Sequence, residues 1–195
     1  MNIELDDTEE KIVMATFSIV QKEGFAKATT KKIAAEAGFN EVTIFRKFEN
    51  KNNLIEITKE YYTQKLIGRL EEIFGFTGDE EIEEYLQNNF TGLLNLQDSE
   101  FSVIKVAMED VREIPDKKLL ISKITDTILN KIEAFFKLQI EKGRIREVDP
   151  RVLAVVSFST TFQSIVLWNV YNLTPGVEMQ KYAENYLDIL FNGIK

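Results

Sequence analysis

Residues 29–54, TTKKIAAEAGFNEVTIFRKFENKNNL, constrain the fold of this chain more than any other stretch. They predict two short helices joined by a tight turn, followed by the start of a third helix. The hydroxyl of Thr29 or Thr30 can cap the first helix by accepting a hydrogen bond from an unpaired backbone amide. Gly38 ends that helix, because glycine adopts the left-handed conformation of a tight helix end at little cost.

The second helix of this stretch begins after Asn40 and carries charge on only part of its surface. Its apolar residues are Val42, Ile44, Phe45 and Phe48. Arg46 and Lys47 are charged. Two short helices separated by such a turn are typical of a helix-turn-helix, whose second helix enters the major groove of DNA. The sequence therefore predicts a DNA-binding unit near the N-terminus.

These residues resemble the DNA-binding domain of the TetR (tetracycline-repressor) family of transcriptional regulators. The matching features are an amphipathic helix ending in Glu23-Gly24-Phe25, then Thr29, Ile33-Ala34-Ala35-Glu36-Ala37-Gly38, Thr43-Ile44-Phe45-Arg46-Lys47-Phe48, Lys51 and Leu54. They cover roughly the first quarter of the chain. The resemblance implies a three-helix DNA-binding domain at 1–50 and a helical domain at 51–195. We expect the second domain to bind a small effector and to form a homodimer.

The rest of the chain also predicts helices, because no run of residues alternates between apolar and polar. We expect a first helix at about 8–23 and a long one from about 51 to 74, which Gly75-Phe76-Thr77-Gly78 breaks. Further helices are expected at about 79–96, 99–113, 117–142, 150–172 and 176–193. Proline marks the boundaries at Ile114-Pro115-Asp116, Asp149-Pro150 and Thr174-Pro175. The predicted fold class is all-α, with about nine helices.

The chain contains no histidine and no cysteine. Disulfides, thiolate chemistry, imidazole acid–base catalysis and the usual zinc sites are therefore excluded. No group of carboxylates has the spacing of a metal or acid–base site, although a site of Asp and Glu alone stays open. We expect no enzyme activity, no metal and no cofactor. The acidic N-terminus, MNIELDDTEEK, lacks the order of a signal peptide, so we expect a cytoplasmic protein.

The net charge of −8 is distributed unevenly along the chain. Residues 22–54 carry seven basic and four acidic groups, whereas residues 55–195 carry 16 basic and 23 acidic groups. Attraction to phosphate is local and screened by salt, so a basic patch on an acidic protein can still bind DNA. The acidic remainder should weaken non-specific binding.

Residues 152–171, VLAVVSFSTTFQSIVLWNVY, contain no charged side chain. Seven of them are polar, and no basic flank follows, which argues against a membrane span. A helix that is apolar on most sides is better explained by burial on most sides. The last helix carries an apolar stripe of Met179, Tyr182, Ala183, Tyr186, Leu190 and Ile194. Two such helices from each of two chains would form the four-helix dimer interface that the family resemblance implies.

Candidate contacts to a double-stranded DNA operator lie at the ends of the two short helices. They are Thr29, Thr30, Lys31, Asn40, Glu41, Val42, Thr43, Phe45, Arg46, Lys47 and Lys51. Asn40 can pair with adenine, cap its helix or do both, and Thr43 can contact a thymine methyl or a phosphate. Glu41 either accepts from cytosine or faces solvent. Lys51 resembles the phosphate-binding lysine of the family.

Two of these positions depart from the family pattern. Phe45 stands where a tyrosine usually donates to phosphate, and loss of one neutral hydrogen bond costs about 0.5–1.5 kcal/mol. Lys47 stands where histidine or tyrosine is usual, and its full charge can offset that loss and steepen the salt dependence of binding. Phe48 is expected in the core.

The sequence distinguishes pocket residues from core residues poorly, because aromatic residues at helical spacing usually belong to a core. The candidate lining residues are Phe90, Phe101, Met108, Phe135, Phe158, Thr161, Phe162, Gln163 and Trp168. Their composition favours an apolar or amphipathic effector. We therefore predict a homodimeric repressor released by such an effector. Two alternatives stay open, namely a DNA-binding regulator controlled by a protein partner and a helical enzyme or adaptor.

Overall fold

The computed structural model of the chain describes residues 3–109, 120–170 and 176–193. The described residues form nine α-helices and no β-strand, which confirms the predicted all-α fold. The helices are α1 (Asp7–Glu23), α2 (Thr30–Ala37), α3 (Glu41–Phe48), α4 (Lys51–Ile73), α5 (Ile82–Leu94), α6 (Asp98–Glu109), α7 (Leu120–Glu141), α8 (Pro150–Ile165) and α9 (Met179–Asn192). A short 3-10 turn follows α1, and a π-helical turn follows α8.

The described helices belong to two compact units. The first unit comprises Met1–Leu66 and Ser102–Leu120, and the second comprises Ile67–Phe101 and Ile121–Lys195. Because α4 and α6 cross these limits, each contributes residues to both units.

The first unit is built around the helix-turn-helix. Its α2 helix packs against both α1 and α3. The buried core consists of Ile12, Val13, Ile19, Val20, Ala28, Ile33, Ala34, Ile44, Phe48, Leu54 and Val106. Phe17 of α1 also stacks on Tyr62 of α4, with ring centroids 3.7 Å apart. This packing supports α2 and α3 from one side and leaves their other side to solvent.

A capping box starts α1. The Asp6 carboxylate accepts hydrogen bonds from the backbone N–H groups of Thr8 and Glu9, each at 2.9 Å. The Glu9 carboxylate accepts in return from the backbone N–H of Asp6 at 2.9 Å. The reciprocal pair satisfies amides that would otherwise lack a partner at the helix end.

Aromatic side chains form the centre of the second unit. Phe135 of α7 is completely buried, and its ring stacks on Tyr85 of α5 with centroids 3.7 Å apart. Phe76 and Phe136 meet the same ring edge-on. The Tyr85 hydroxyl donates to the backbone oxygen of Phe74 at 3.2 Å, and burial raises the pKa of this hydroxyl.

The helix expected at 79–96 is shorter than predicted, because a carboxylate organises the turn before it. Glu80 accepts hydrogen bonds from the backbone N–H of Thr77 at 2.6 Å and from that of Gly78 at 2.7 Å. The Thr77 hydroxyl donates to it as well, at 2.9 Å. These hydrogen bonds, led by the one from Thr77 N–H, lower the pKa of Glu80 to about 2. The chain therefore turns through Glu80 and begins α5 at Ile82.

The helix expected at 150–172 also differs from the prediction at its C-terminal end. Its start is confirmed: Asp149 accepts from the backbone N–H groups of Arg151 and Val152, and Pro150 occupies the first helical position. Regular α-helix ends at Ile165, and a π-helical turn covers Val166–Val170. The expected boundaries at Ile114-Pro115-Asp116 and Thr174-Pro175 lie outside the described residues.

Candidate nucleic-acid interface

Side-chain caps and one left-handed glycine set the geometry of the helix-turn-helix. Thr29 caps α2 by accepting from the backbone N–H of Lys32 at 3.3 Å. Gly38 ends α2 with φ 74° and ψ 28°, in the left-handed region. Asn40 then caps α3, because its side-chain oxygen accepts from the backbone N–H of Val42 at 3.0 Å. Of the two roles considered for Asn40, the structure shows capping.

Two buried side chains fix the rotation of α3 about its own axis. Ile44 and Phe48 are 0% and 1% exposed, and both belong to the core of the first unit. The opposite side of α3 faces solvent, where Val42 is 70% exposed and Phe45 is 48% exposed. Arg46 is exposed on the same side, and Thr43 is half-buried. This outer face is the surface that a helix-turn-helix presents to the major groove.

Two predicted DNA contacts form a hydrogen bond with each other. The Thr30 hydroxyl at the start of α2 donates to the Glu41 carboxylate at the start of α3, at 2.5 Å. The hydrogen bond ties the two helices of the motif together across the turn. It also occupies a carboxylate that would otherwise face a phosphate backbone of the same charge.

Lys47 forms ion pairs with the first helix. Its ammonium group donates to the Asp6 carboxylate and lies 3.6 Å from that of Glu9. The hydrogen bond from Lys47 lowers the pKa of Asp6, and the reciprocal interaction raises the pKa of Lys47. The capping box of α1 therefore partly neutralises a charge that the sequence assigns to DNA. Sequence reasoning missed Asp6 and Glu9, since neither lies near the motif in the chain.

The lysine at the start of α4 is held in place by the segment that follows α1. The Lys51 ammonium group donates to the backbone oxygen of Phe25 at 3.3 Å. Lys59, further along α4, lies 4.8 Å from the centroid of the Phe25 ring. An ammonium group has three donors, so Lys51 keeps donors for a further acceptor such as phosphate.

Two cations of the motif remain available. Lys31 on α2 and Arg46 on α3 are exposed, and neither forms an ion pair within the part of the chain that the structure describes. A planar guanidinium group can donate two parallel hydrogen bonds to guanine or to phosphate. The outer face therefore combines apolar side chains with unpaired positive charge.

The helix-turn-helix unit matches a known protein family. Residues 12–57 match the family model described as bacterial regulatory proteins, tetR family. Residues 12–57 thus form a DNA-binding domain of the TetR type. The chain is a DNA-binding transcriptional regulator of the helix-turn-helix type, as the motif predicted.

Two curated relatives of this regulator come from Bacillus subtilis. One is an uncharacterised HTH-type transcriptional regulator, YvkB, which is 26% identical over 155 residues, covering 80% of this chain and 79% of the relative. The other is a fatty acid metabolism regulator protein, 25% identical over 193 residues and 94% of each chain.

Solved structures share the fold over nearly the whole chain. FadR, a fatty acid degradation regulator from Bacillus halodurans, superposes with a TM-score of 0.71 at 17% identity, covering 99% of each chain. The transcriptional regulator FadR from Bacillus subtilis, in complex with stearoyl-CoA, superposes with a TM-score of 0.66 at 21% identity. That match covers 95% of this chain and 99% of the other. At these identities the likeness concerns the fold alone.

The structure distributes the predicted effector-pocket residues over several clusters. Met108 lies in the first unit, and the other candidates lie in the second. Phe135 belongs to the aromatic centre described above, whereas Phe90 and Trp168 both face the ring of Tyr182. The remaining candidates differ in burial: Phe101 and Phe158 are buried, Thr161 and Phe162 are half-buried, and Gln163 is exposed.

Neither metal chemistry nor a membrane span gains support from the described residues. Within residues 3–109, 120–170 and 176–193, no group of three or more Asp or Glu side chains is arranged to hold a metal ion. One stretch there, Pro150–Asn169, is long and apolar enough to cross a membrane. That property alone is weak support for a span, because core helices of soluble proteins share it.

Proposed function

We propose that this TetR regulator is a repressor that binds a pseudo-palindromic operator as a homodimer and is released by an amphipathic effector. The observation that carries the proposal is the outer face of α3, which is held rigidly by its buried side and left open to DNA. The proposed contacts are the residues predicted from the sequence, with Lys31, Arg46 and Lys51 as the principal phosphate ligands. Catalysis has no part in this function, and the proposed location is the cytoplasm.

An exposed apolar surface on the last two helices supports the homodimer. Val152, Val155 and Val156 on α8 and Ile189 and Phe191 on α9 are all exposed. A cleft of about 610 Å³ runs between these helices. Contiguous exposed apolar surface on a monomer usually marks an interface. Light scattering should give twice the chain mass of 22.5 kDa. A stable monomer at micromolar concentration would remove this part of the proposal.

The proposed effector is a long-chain fatty acyl thioester. The support comes from the relative that was solved with stearoyl-CoA and from the aromatic interior of the second unit. A buried amide adds a polar anchor: Asn89 of α5 is buried and interacts with the Tyr85 hydroxyl. The amide has two N–H donors, so one can donate to a bound carbonyl group while the other keeps this interaction.

Operator titration in the presence of stearoyl-CoA tests the proposed release. A true effector should raise the melting temperature and weaken operator binding together, because it favours one conformation of the protein over the other. Coenzyme A without an acyl chain is the control ligand. Asn89→Leu, which keeps the branching of the side chain and removes its polar atoms, should bind the effector more weakly and still bind the operator.

The melting temperature and the operator affinity together show which part of the effector proposal fails. If stearoyl-CoA stabilises the protein while operator affinity stays constant, the ligand binds but does not control the regulator, and control by a protein partner becomes the better account. If stearoyl-CoA neither stabilises the protein nor changes operator binding, the proposal of a long-chain fatty acyl thioester as effector is wrong.

A further inference from the structure

The outer face of α3 offers apolar side chains where a DNA-reading helix usually offers hydrogen-bonding groups. We propose that the chain recognises its operator by contacting thymine methyl groups, with Val42 as the principal reader and Phe45 beside it. This inference rests on the proposed binding of α3 in the major groove.

The polar side chains at the two ends of α3 are already engaged within the protein. The side-chain oxygen of Asn40 caps the helix, and the Glu41 carboxylate holds the Thr30 hydroxyl. Lys47 pairs with the capping box of α1. Reading of a base by the Asn40 oxygen or by the Glu41 carboxylate would require breaking a hydrogen bond that stabilises the motif, and Lys47 would have to share its charge with two carboxylates. Direct readout therefore falls to the side chains on the outer face that have no partner to lose.

Val42 is the most exposed of the large apolar side chains on this face, and it lies in the first turn of α3. Residues in the first turns of a recognition helix are the ones that meet base edges. Phe45 follows three positions later, so the two side chains lie on the same side of the helix. Ile44 and Phe48 keep that side turned away from the core.

The major groove offers one apolar group, the C5-methyl of thymine. A valine methyl placed against it removes both groups from water, whereas the same valine placed against cytosine meets a polar edge. Such a contact distinguishes thymine from the other bases without a hydrogen bond. Arg46, exposed on the same face, supplies the charge that holds the helix against the backbone or a neighbouring guanine.

Replacing thymine by deoxyuridine tests the proposal, because uracil lacks only the methyl group. A duplex selected by the wild-type protein from random sequences is resynthesised with uracil at one thymine of each half-site in turn. At the position read by Val42, the wild type should lose about fourfold in affinity per half-site, the effect of burying one methyl group. Anisotropy titration at constant salt measures this loss.

Three variants show which residue contacts the thymine methyl group. Val42→Ala should bind the thymine and uracil duplexes equally well at that position. Thr43→Ser removes the other methyl group near the start of α3 and tests the competing assignment to Thr43; its affinity for the operator can change, but the difference between the thymine and uracil duplexes should stay. Met14→Ala, which shortens an apolar side chain of α1 with 54% exposure, should also keep it.

Each outcome separates this inference from the proposed function. If uracil costs nothing at any position of a selectively bound duplex, methyl recognition is wrong, and the regulator still binds DNA. If Thr43→Ser removes the preference and Val42→Ala does not, the assignment to Val42 is wrong. If no duplex is selected at all, the proposed function itself fails.

Discussion

At the scale of single residues, the positive charge that α3 offers to DNA depends on partners from α1. Lys47 lies in the motif, but Asp6 and Glu9 compete with phosphate for its ammonium group. Asp6 has a second role, since it caps α1. A DNA phosphate would therefore have to compete with both carboxylates for the Lys47 ammonium group.

Substituting Asp6 by Asn separates these two roles. Asparagine caps helices as well as aspartate does, so Asp6→Asn should keep α1 intact while removing one of the two carboxylates that pair with Lys47. We expect tighter binding to all duplex sequences at low salt. The slope of log Kobs against log salt should steepen by up to about one unit, because one more phosphate is neutralised.

Glu4→Gln is the matched control for this experiment. Glu4 is exposed, lies two residues before Asp6 and makes no side-chain interaction with another described residue. The variant removes the same charge without releasing Lys47, so its salt slope should stay closer to that of the wild type. Equal slopes for the two variants would show that net charge alone, and not the pairing of Lys47, sets the effect.

At the scale of elements, the helix ends were predictable where one or two adjacent residues determine them. Gly38, the caps at Thr29 and Asn40, and the Asp149-Pro150 start of α8 all follow from local chemistry. The π-helical turn after Ile165 was not predictable, because the sequence there contains no proline or glycine. The spacing of apolar residues therefore predicts a regular α-helix through this turn.

The contacts between elements were harder to predict than the elements. Tyr61 on α4 donates to Glu10 on α1 at 2.5 Å, across 51 positions of sequence. The pairing of Lys47 with Asp6 spans 41 positions. Such pairs depend on how helices pack in three dimensions, and many acidic residues could have served equally well by sequence alone. The sequence predicted that α3 exposes one face to DNA. It did not predict which side chains of α3 pair with other helices and which stay unpaired.

Substitution by alanine should have opposite effects on stability at two glycines whose surroundings both leave room for a methyl group. A methyl group at Gly38 or at Gly68 meets no atom within 4 Å, so packing does not distinguish the two sites. Gly38 has a left-handed backbone, and Gly68 lies within α4. Gly38→Ala should lower the free energy of unfolding by about 1 kcal/mol, and Gly68→Ala should raise it by about 0.5–1 kcal/mol. Chemical denaturation measures both. A loss of stability in both variants would contradict the backbone argument.

The turn before α5 should make stability depend on pH. Hydrogen bonds from Thr77 and Gly78 lower the pKa of Glu80 from 4.5 to about 2. The charged carboxylate therefore stabilises the fold fully above about pH 4.5, and this contribution is lost as the pH falls toward 2. Glu80→Gln should melt at a lower temperature than wild type at pH 7, and the difference should narrow near pH 3.

An acidic neighbour provides the comparison for Glu80. Glu84 on α5 is exposed and accepts no hydrogen bond from another described residue, so Glu84→Gln should leave the melting temperature nearly unchanged at both pH values. If Glu80→Gln behaved in the same way, the hydrogen bonds in the turn would contribute nothing measurable to the fold.

At the scale of the whole molecule, the acidic charge is concentrated outside the DNA-binding motif. Residues 22–54 carry a net charge of +3, and residues 55–195 carry −7. This distribution confines attraction for phosphate to the helix-turn-helix and disfavours binding of DNA elsewhere. In the proposed homodimer, two such motifs would meet major grooves about 34 Å apart on one side of the duplex.

Selection from a pool of random duplexes tests the central claim most directly, because the protein itself chooses the operator sequence. The wild-type chain should enrich an inverted repeat whose half-sites are separated by about one helical turn, with thymines among the preferred bases. A variant with Val42→Ala and Arg46→Ala should enrich this repeat weakly or not at all. Failure of the wild type to enrich any sequence, or enrichment of a site without two-fold symmetry, would contradict a dimer that reads DNA through α3.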